Sequence, residues 1–215
     1  MKILENIPCG PFATNVYILV CKETKLGLLV DPAPDSYDKL VKASAPYKLE
    51  AILLTHSHWD HMADAKKLKE HFNIPVYVHP EDSANVRNPG SDGLPLIVSI
   101  EGFEPDRDLI DKQPLRLGRL QIEVIHTPGH TPGGVCFHLP QCKMLISGDT
   151  LFKGTIGNLS FPTANPTMMW ESLKAIAKLP ADTRIYPGHG LTTTIGEESW
   201  LLSQAQANFE HPSTY

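Results

Sequence analysis

Three imidazoles and one carboxylate fall within six residues at His56-Ser57-His58-Trp59-Asp60-His61, and no other stretch so narrows what this chain can fold into. Such density asks for a shared partner. His56 and His58 are two apart, so in an extended segment their side chains leave the same face and can share one ion. Asp60 and His61 follow where the chain turns into a helix, and are expected to project from the other wall of the same concavity. A neutral imidazole suits zinc, iron or copper, and a carboxylate in a first helical turn gains from the exposed N–H groups and the helix dipole. Two pairs of ligands suggest two ions. The competing reading is a solvated, histidine-rich turn with a capping aspartate.

The surrounding chain fits a site at a strand end. Residues 51–54 (Ala-Ile-Leu-Leu) form a continuous apolar run of the buried-strand kind, and they deliver the hexapeptide at their carboxyl end, where open α/β sheets place their chemistry. Residues 16–21 and 26–30 read as a hairpin, after a short apolar run at 3–7 stopped by Pro8. Ser36 is placed to cap a helix through Tyr37, Leu40 and Val41 to about Ala45. Met62, Ala65, Leu68 and Phe72, with lysines on the outer face, predict one amphipathic helix from Asp60 to about His71. A short strand at 76–78 and a helix opening at Pro80 come next. The stretch 85–113 reads as an irregular excursion, of a kind that often flanks active sites. Strands follow at 120–125, 135–139, 144–147 and 184–186. Between the last two, Asn165-Pro166 caps a helix carrying Met169, Trp170, Leu173 and Ile176, and a terminal helix is expected over about 194–208 with Trp200 and Leu201. Two runs of strands with interspersed helices suit an α/β fold of two mixed β-sheets packed face to face with helices outside, a four-layer αββα sandwich.

With 215 residues and no low-complexity linker, the chain reads as one domain, 1–215. Nineteen basic against twenty-four acidic residues give a formal charge of −5, and no basic run exceeds Lys66-Lys67, which disfavours nucleic acid as a partner. No window approaches a transmembrane span and the N-terminus lacks a signal-peptide apolar core, so no membrane association and a soluble, cytoplasmic protein are expected. Cys9, Cys21, Cys136 and Cys142 show no C-x-x-C spacing and read as reduced, incidental thiols.

Three further loops carry single candidates after predicted strands: Thr127-Pro128-Gly129-His130-Thr131-Pro132-Gly133, Ser147-Gly148-Asp149-Thr150-Leu151-Phe152 and Tyr186-Pro187-Gly188-His189-Gly190. With Thr55-His56-Ser57-His58-Trp59-Asp60-His61 they resemble, in order and over nearly the whole chain, the metallo-β-lactamase-fold hydrolases, and within them the glyoxalase II-like (hydroxyacylglutathione hydrolase) branch. The resemblance implies that His56, His58 and His130 hold one divalent ion and Asp60, His61 and His189 a second, with Asp149 bridging. Zinc is the expected metal, iron or manganese the alternatives. It further implies hydrolysis of a small-molecule acyl thioester by a metal-bridging hydroxide that Asp60 helps to aim.

Two departures bear on substrate. Asn158 stands where many relatives place an arginine or lysine that helps hold glutathione, and the chain stops at Tyr215, before the C-terminal helical domain of full-length glyoxalase II would fit. It resembles the short form. Rival readings are a persulfide dioxygenase with one iron on His56, His130 and Asp149, a lactonase or nuclease on the same scaffold, and a non-catalytic, metal-stabilised binding module. None of His71, His79, His126, His138 and His211 matches a family ligand position. His126, four residues before His130, is the one placed to support a ligand, and Lys153 is the cation nominated to meet an acidic substrate.

Overall fold

The computed structural model describes residues 2–200. One sheet is built, in spatial order, from β1 (Lys2–Cys9), β2 (Thr14–Val20), β3 (Leu26–Val30), β4 (Lys48–Leu53), β5 (Val76–Val78) and β6 (Arg107–Asp108). Its first three strands are antiparallel and β3 to β6 run parallel. The second sheet comprises β7 (Pro114–Leu117), β8 (Leu120–His126), β9 (Val135–Leu139), β10 (Met144–Gly148), β13 (Arg184–Pro187) and β14 (Thr193–Thr194), with β10 and β13 its parallel pair. A small ladder joins β11 (Leu151–Phe152) to β12 (Thr155–Ile156). Helices α1 (Tyr37–Ser44), α2 (Trp59–Met62), α3 (Ala65–Phe72), α4 (Ser83–Arg87) and α5 (Pro166–Ile176) flank the two sheets, giving the αββα sandwich expected from the strand pattern.

The period of two along β2 explains the layering. Tyr17 and Leu19 point between the sheets, where they join Leu53, Val124, Phe137 and Ile146, while Val16, Ile18 and Val20 point outward onto Leu40, Met62 and Leu68 of the helices. Both faces are covered, so the strand is buried throughout and apolar from Val16 to Val20 instead of alternating. On the far side, Cys136, Leu145 and Ile185 of the second sheet pack on Met169, Leu173 and Ile176 of α5. Asn165 caps that helix through its side chain, which accepts from Met168 N–H at 3.1 Å.

Four local expectations fail for identifiable reasons. The single helix over Asp60 to His71 is two, because Asp64 breaks it and turns its carboxylate to α1: Asp64 Oδ2 accepts from the Ser36 and Tyr37 N–H groups at 2.9 and 3.0 Å. Ser36 occupies the N-cap position but makes no cap of its own. β1 continues through Pro8 to Cys9, since it is an edge strand and the missing N–H costs no ladder bond. Residues 193–194 pair with β13 and 195–199 form turns where helix was expected, and the remainder of that expected helix, from Leu201 on, lies outside the described residues. Among the described residues no helix is long and apolar enough to cross a membrane.

Candidate metal centre

Every predicted ligand sits just beyond a strand end. His56 and His58 follow β4, Asp60 and His61 lie in α2, and His130, Asp149 and His189 follow β8, β10 and β13. These loops converge. One donor atom each from His56, His58 and His130 lies within 4.8 Å of the others, and the same holds for Asp60, His61 and His189, and for His56, His61 and Asp149. Asp149 stands between the first two groups: its Oδ2 is 3.4 Å from His130 Nε2 and 3.5 Å from His189 Nε2, and its Oδ1 is 3.4 Å from His61 Nε2.

Close backbone approach makes this possible. Gly148 adopts φ +48°, and a Cβ there would meet Thr55 Oγ1 at 2.5 Å. A Cβ on Gly188 would fall 2.1 Å from Asp149 Oδ1 and 2.7 Å from His61 Cε1. The glycines of the Gly-Asp and Pro-Gly-His motifs are therefore spaces left for donor atoms.

The outward nitrogens are held by partners that fix each ring. His130 Nδ1 donates to the Asn158 carbonyl at 2.9 Å, and His189 Nδ1 to that of Phe12 at 3.1 Å. His61 Nδ1 meets Asp31 Oδ2 at 3.0 Å, and the same carboxylate accepts from Thr55 N–H (2.7 Å) and Thr55 Oγ1 (2.6 Å). Thr14 Oγ1 donates to Asp60 Oδ2 at 2.9 Å. Asp82 ties two ligand loops together by accepting from Ser57 N–H at 2.7 Å and Gly133 N–H at 2.6 Å. Asn15 Nδ2 donates to the carbonyls of Pro187 and Gly190, both at 2.9 Å, and Tyr17 Oη to Pro187 at 2.6 Å. Sequence reading missed these supports. In the sequence Asp31 is only an aspartate before Pro32 at the end of a strand, and nothing in the order of residues pairs it with His61, thirty positions on.

Of the remaining candidates, His126 does not brace His130 as expected: its Nε2 donates to the Pro132 carbonyl at 2.9 Å and its ring stacks on His79, centroids 4.0 Å apart. His71 pairs with Tyr37 Oη and His138 lies 3.4 Å from Glu123, while His211 lies outside the described residues. Lys153 occupies the exposed turn of the β11–β12 ladder. The four cysteines form no disulfide. Cys9 has Lys39 Nζ at 3.5 Å, yet burial pushes its thiol pKa up, so no reactive thiolate is formed there.

The donor chemistry fits metal ions. His56 Nε2, His58 Nε2, His130 Nε2 and Asp149 Oδ1 are buried with no hydrogen-bond partner, a cost that a cation at their common focus removes. Burial, reinforced by neighbouring histidines, holds His56 and His58 well below the ordinary imidazole range, and burial likewise lowers His130. These are rings in the neutral, ligating form. Burial opposes a charge on His61 too, but Asp60, Asp149 and Asp31 outweigh it and raise its pKa to about 10. Burial also opposes the charge on Asp60, where His61, His189 and Thr14 prevail and hold the carboxyl well below the usual carboxylate range. The sign gives a prediction: with His61 carrying a proton at neutral pH in the metal-free protein, loading must displace it, and affinity must rise with pH up to about 10. Calorimetry in buffers of different ionisation enthalpy should show release of about one proton or more at pH 7. Uptake without proton release would contradict it.

Residues 9–189 match the family model of the metallo-β-lactamase superfamily. The chain belongs to that superfamily. It is 32% identical to the hydroxyacylglutathione hydrolase GloC of Haemophilus influenzae, over 91% of this chain and 94% of that one. Among solved structures it is similar to the B3 metallo-β-lactamase BLEG-1 (33% identity, TM-score 0.84, covering 90% of this chain and 95% of that one). It is also similar to TTHA1623 in a di-iron-bound form (35% identity, TM-score 0.78, covering 91% and 96%). This superfamily member is a metal-dependent hydrolase with a dinuclear metal site.

Proposed function

We propose that the protein hydrolyses S-hydroxyacyl thioesters, with His56, His58 and His130 as one ligand set, Asp60, His61 and His189 as the other, and Asp149 shared. The observation that carries the ligand assignment is the set of partnerless buried atoms on His56, His58, His130 and Asp149, facing a second group of donors across one carboxylate. The likeness to GloC supports the thioester class. Two dications bound there supply Lewis acidity and bring the pKa of water toward neutrality. The protein's own part is positioning. Asp60, kept ionised and oriented by Thr14, accepts a hydrogen bond from the attacking water and aims it. The neutral imidazoles of His56, His58 and His130 hold their place without a proton to lose. A thiolate leaves without help from a strong general acid. Zinc is the metal proposed, and the di-iron form of TTHA1623 keeps iron as the alternative for metal analysis of purified protein to decide. The completeness of the Asp60, His61 and His189 group favours two ions over the single iron of a dioxygenase.

His189 reaches this group from the far end of the chain, so His189→Ala should lower metal content from about two ions per chain toward one, as loss of one of an ion's few protein ligands implies. Unchanged stoichiometry would remove His189 from the ligand set. The glutathione peptide itself is expected to matter little. Asn158 offers its carbonyl to His130 and an uncharged side chain where the resembling enzymes carry a cation, and a charge-assisted contact is worth about 1.5–3 kcal/mol, or roughly ten- to over a hundredfold. Lactoylglutathione should therefore exceed the same acyl group on a small thiol by no more than about tenfold in kcat/KM. A preference above about a thousandfold would overturn this.

A further inference from the structure

The excursion that follows α4 is ordered, and it carries a run of apolar side chains that joins none of the three cores. Asn85 organises it. Its Oδ1 accepts from the Gly90 and Asp92 N–H groups at 3.0 and 3.3 Å, while its Nδ2 donates to Asp92 Oδ2 at 2.9 Å and to the Ser57 carbonyl, in the hexapeptide loop, at 2.7 Å. Asp92 Oδ1 then accepts from Leu94 N–H at 2.9 Å. The residues held in this way, Leu94-Pro95-Leu96-Ile97-Val98, form neither helix nor strand, and none is buried. Leu96 is 39% and Ile97 57% exposed. A contiguous apolar run fixed in water marks a surface that binds something. It stands at the first ligand set, since Asp92, two residues before Leu94, brings Oδ2 to 4.0 Å from His58 Nε2. A second apolar surface, from a different loop, flanks the same ligands. Phe161 is only half-buried, and its ring centroid lies 5.3 Å from that of His58 and 5.5 Å from that of His130. The two loops meet where Gly93 abuts Pro162, whose Cγ would lie 3.3 Å from a Cβ on that glycine.

We infer that the 94–98 run and Phe161 form the wall on which an apolar acyl chain of the substrate packs, with the carbonyl of that acyl group at the metal centre. The inference rests on the thioester reading for which bond is cleaved. It assigns the wall to the acyl side because Asn158 brings no charge to hold a glutathione peptide, so discrimination falls to the acid that is released. The hydrogen bonds of Asn85 preform the wall, and a substrate gains burial there without first ordering a loop. Leu96, Ile97 and Phe161 are thus specificity residues, and hydroxyacyl chains longer than lactoyl are the preferred class.

The test uses metal-loaded protein and two thioesters of one small thiol, N-acetylcysteamine, that differ only beyond the α-carbon: the lactoyl and the 2-hydroxyoctanoyl ester. After correction for non-enzymatic hydrolysis, the longer ester should lead by about tenfold or more in kcat/KM. Most of that lead should be lost in the double variant Leu96→Ser/Ile97→Ser, whose two positions are exposed, so the fold tolerates the change. Phe161→Ala, with its metal content measured alongside, should reduce the lead as well. The lactoyl ester reports any general loss in each protein, so the ratio isolates the chain. No lead in the parent protein, or a lead unchanged in both variants, overturns the inference. So does a preference that follows the thiol instead, read with lactoyl esters of ethanethiol and hexanethiol, while acyl length makes no difference. If no thioester turns over, the thioester reading fails, and calorimetric affinities of 2-hydroxyoctanoate and lactate for the parent and the double variant decide the wall separately. Tighter binding of 2-hydroxyoctanoate that shrinks in the variant upholds it, and equal preference in the two proteins refutes it.

Discussion

Replacing Asp149 by alanine is expected to leave a protein that holds at most one ion weakly and hydrolyses its substrate about a thousandfold or more slowly. The carboxylate lies within 3.5 Å of donor nitrogens from both proposed ligand sets, with His130 on one side and His61 and His189 on the other. Two dications a few ångströms apart repel, and a shared carboxylate offsets that repulsion, so its loss removes affinity from both sites together. The rate follows because metal ions contribute several kcal/mol of transition-state charge stabilisation, and each 1.36 kcal/mol is a factor of ten. Elemental analysis beside steady-state kinetics checks both statements. Full metal content with full activity would remove Asp149 from the centre and with it the dinuclear assignment.

Asp31→Ala should be the most destabilising of the substitutions considered, although Asp31 is not proposed to touch a metal. Its buried carboxylate accepts from the Thr55 N–H, the Thr55 hydroxyl and His61 Nδ1 at 2.6–3.0 Å, and the residue itself is held at φ +52°. Truncation strands three polar groups out of reach of water, one of them the ring whose charge Asp31 helps to stabilise. Breaking a buried ion pair in this way costs about 3–5 kcal/mol, which in a domain of this size lowers the Tm of the metal-free protein by on the order of 10 °C. With His61 no longer oriented, metal affinity should also fall, by about 10- to 100-fold. Thermal melts of the metal-free protein and competition with a chelator measure the two effects separately, and a variant matching the parent in both would show that the Asp31 contacts carry no weight.

Much of this was legible in the residues. The β-branched and aromatic run that marks β2 as a buried strand, the apolar run that leads to His56, and the Asn-Pro start of α5 are local patterns that burial and capping impose on any sequence, and the structure repeats them. The candidate ligand motifs were readable because three of them join a donor to a glycine- and proline-bearing loop after a strand, and the fourth crowds His56, His58, Asp60 and His61 into six residues after an apolar run. Local pattern misled where the outcome depended on a distant partner. A helical stripe from Met62 to Phe72 does not reveal that Asp64 is needed by the N–H groups of Ser36 and Tyr37, so it could not show the break between α2 and α3. β7 and β14 were invisible because a proline-bearing edge strand and a two-residue strand exist only through the neighbour that pairs with them.

The sequence by itself determined the sandwich, the order of its loops and the candidate donor residues, all of which follow from periodicity and from side-chain chemistry within short windows. Tertiary structure decided which donors meet. It set Asp149 between His130, His61 and His189, and left no room for side chains at Gly148 and Gly188. It brought Asp31, Thr14 and Asp82 beneath the ligands from 24 to 51 positions away. It also folded the excursion carrying Asp92 against His58. The physical reason is the same throughout. A buried carboxylate or imidazole must find a partner, and which partner it finds depends on how two sheets stack, a long-range outcome that no local window of residues encodes.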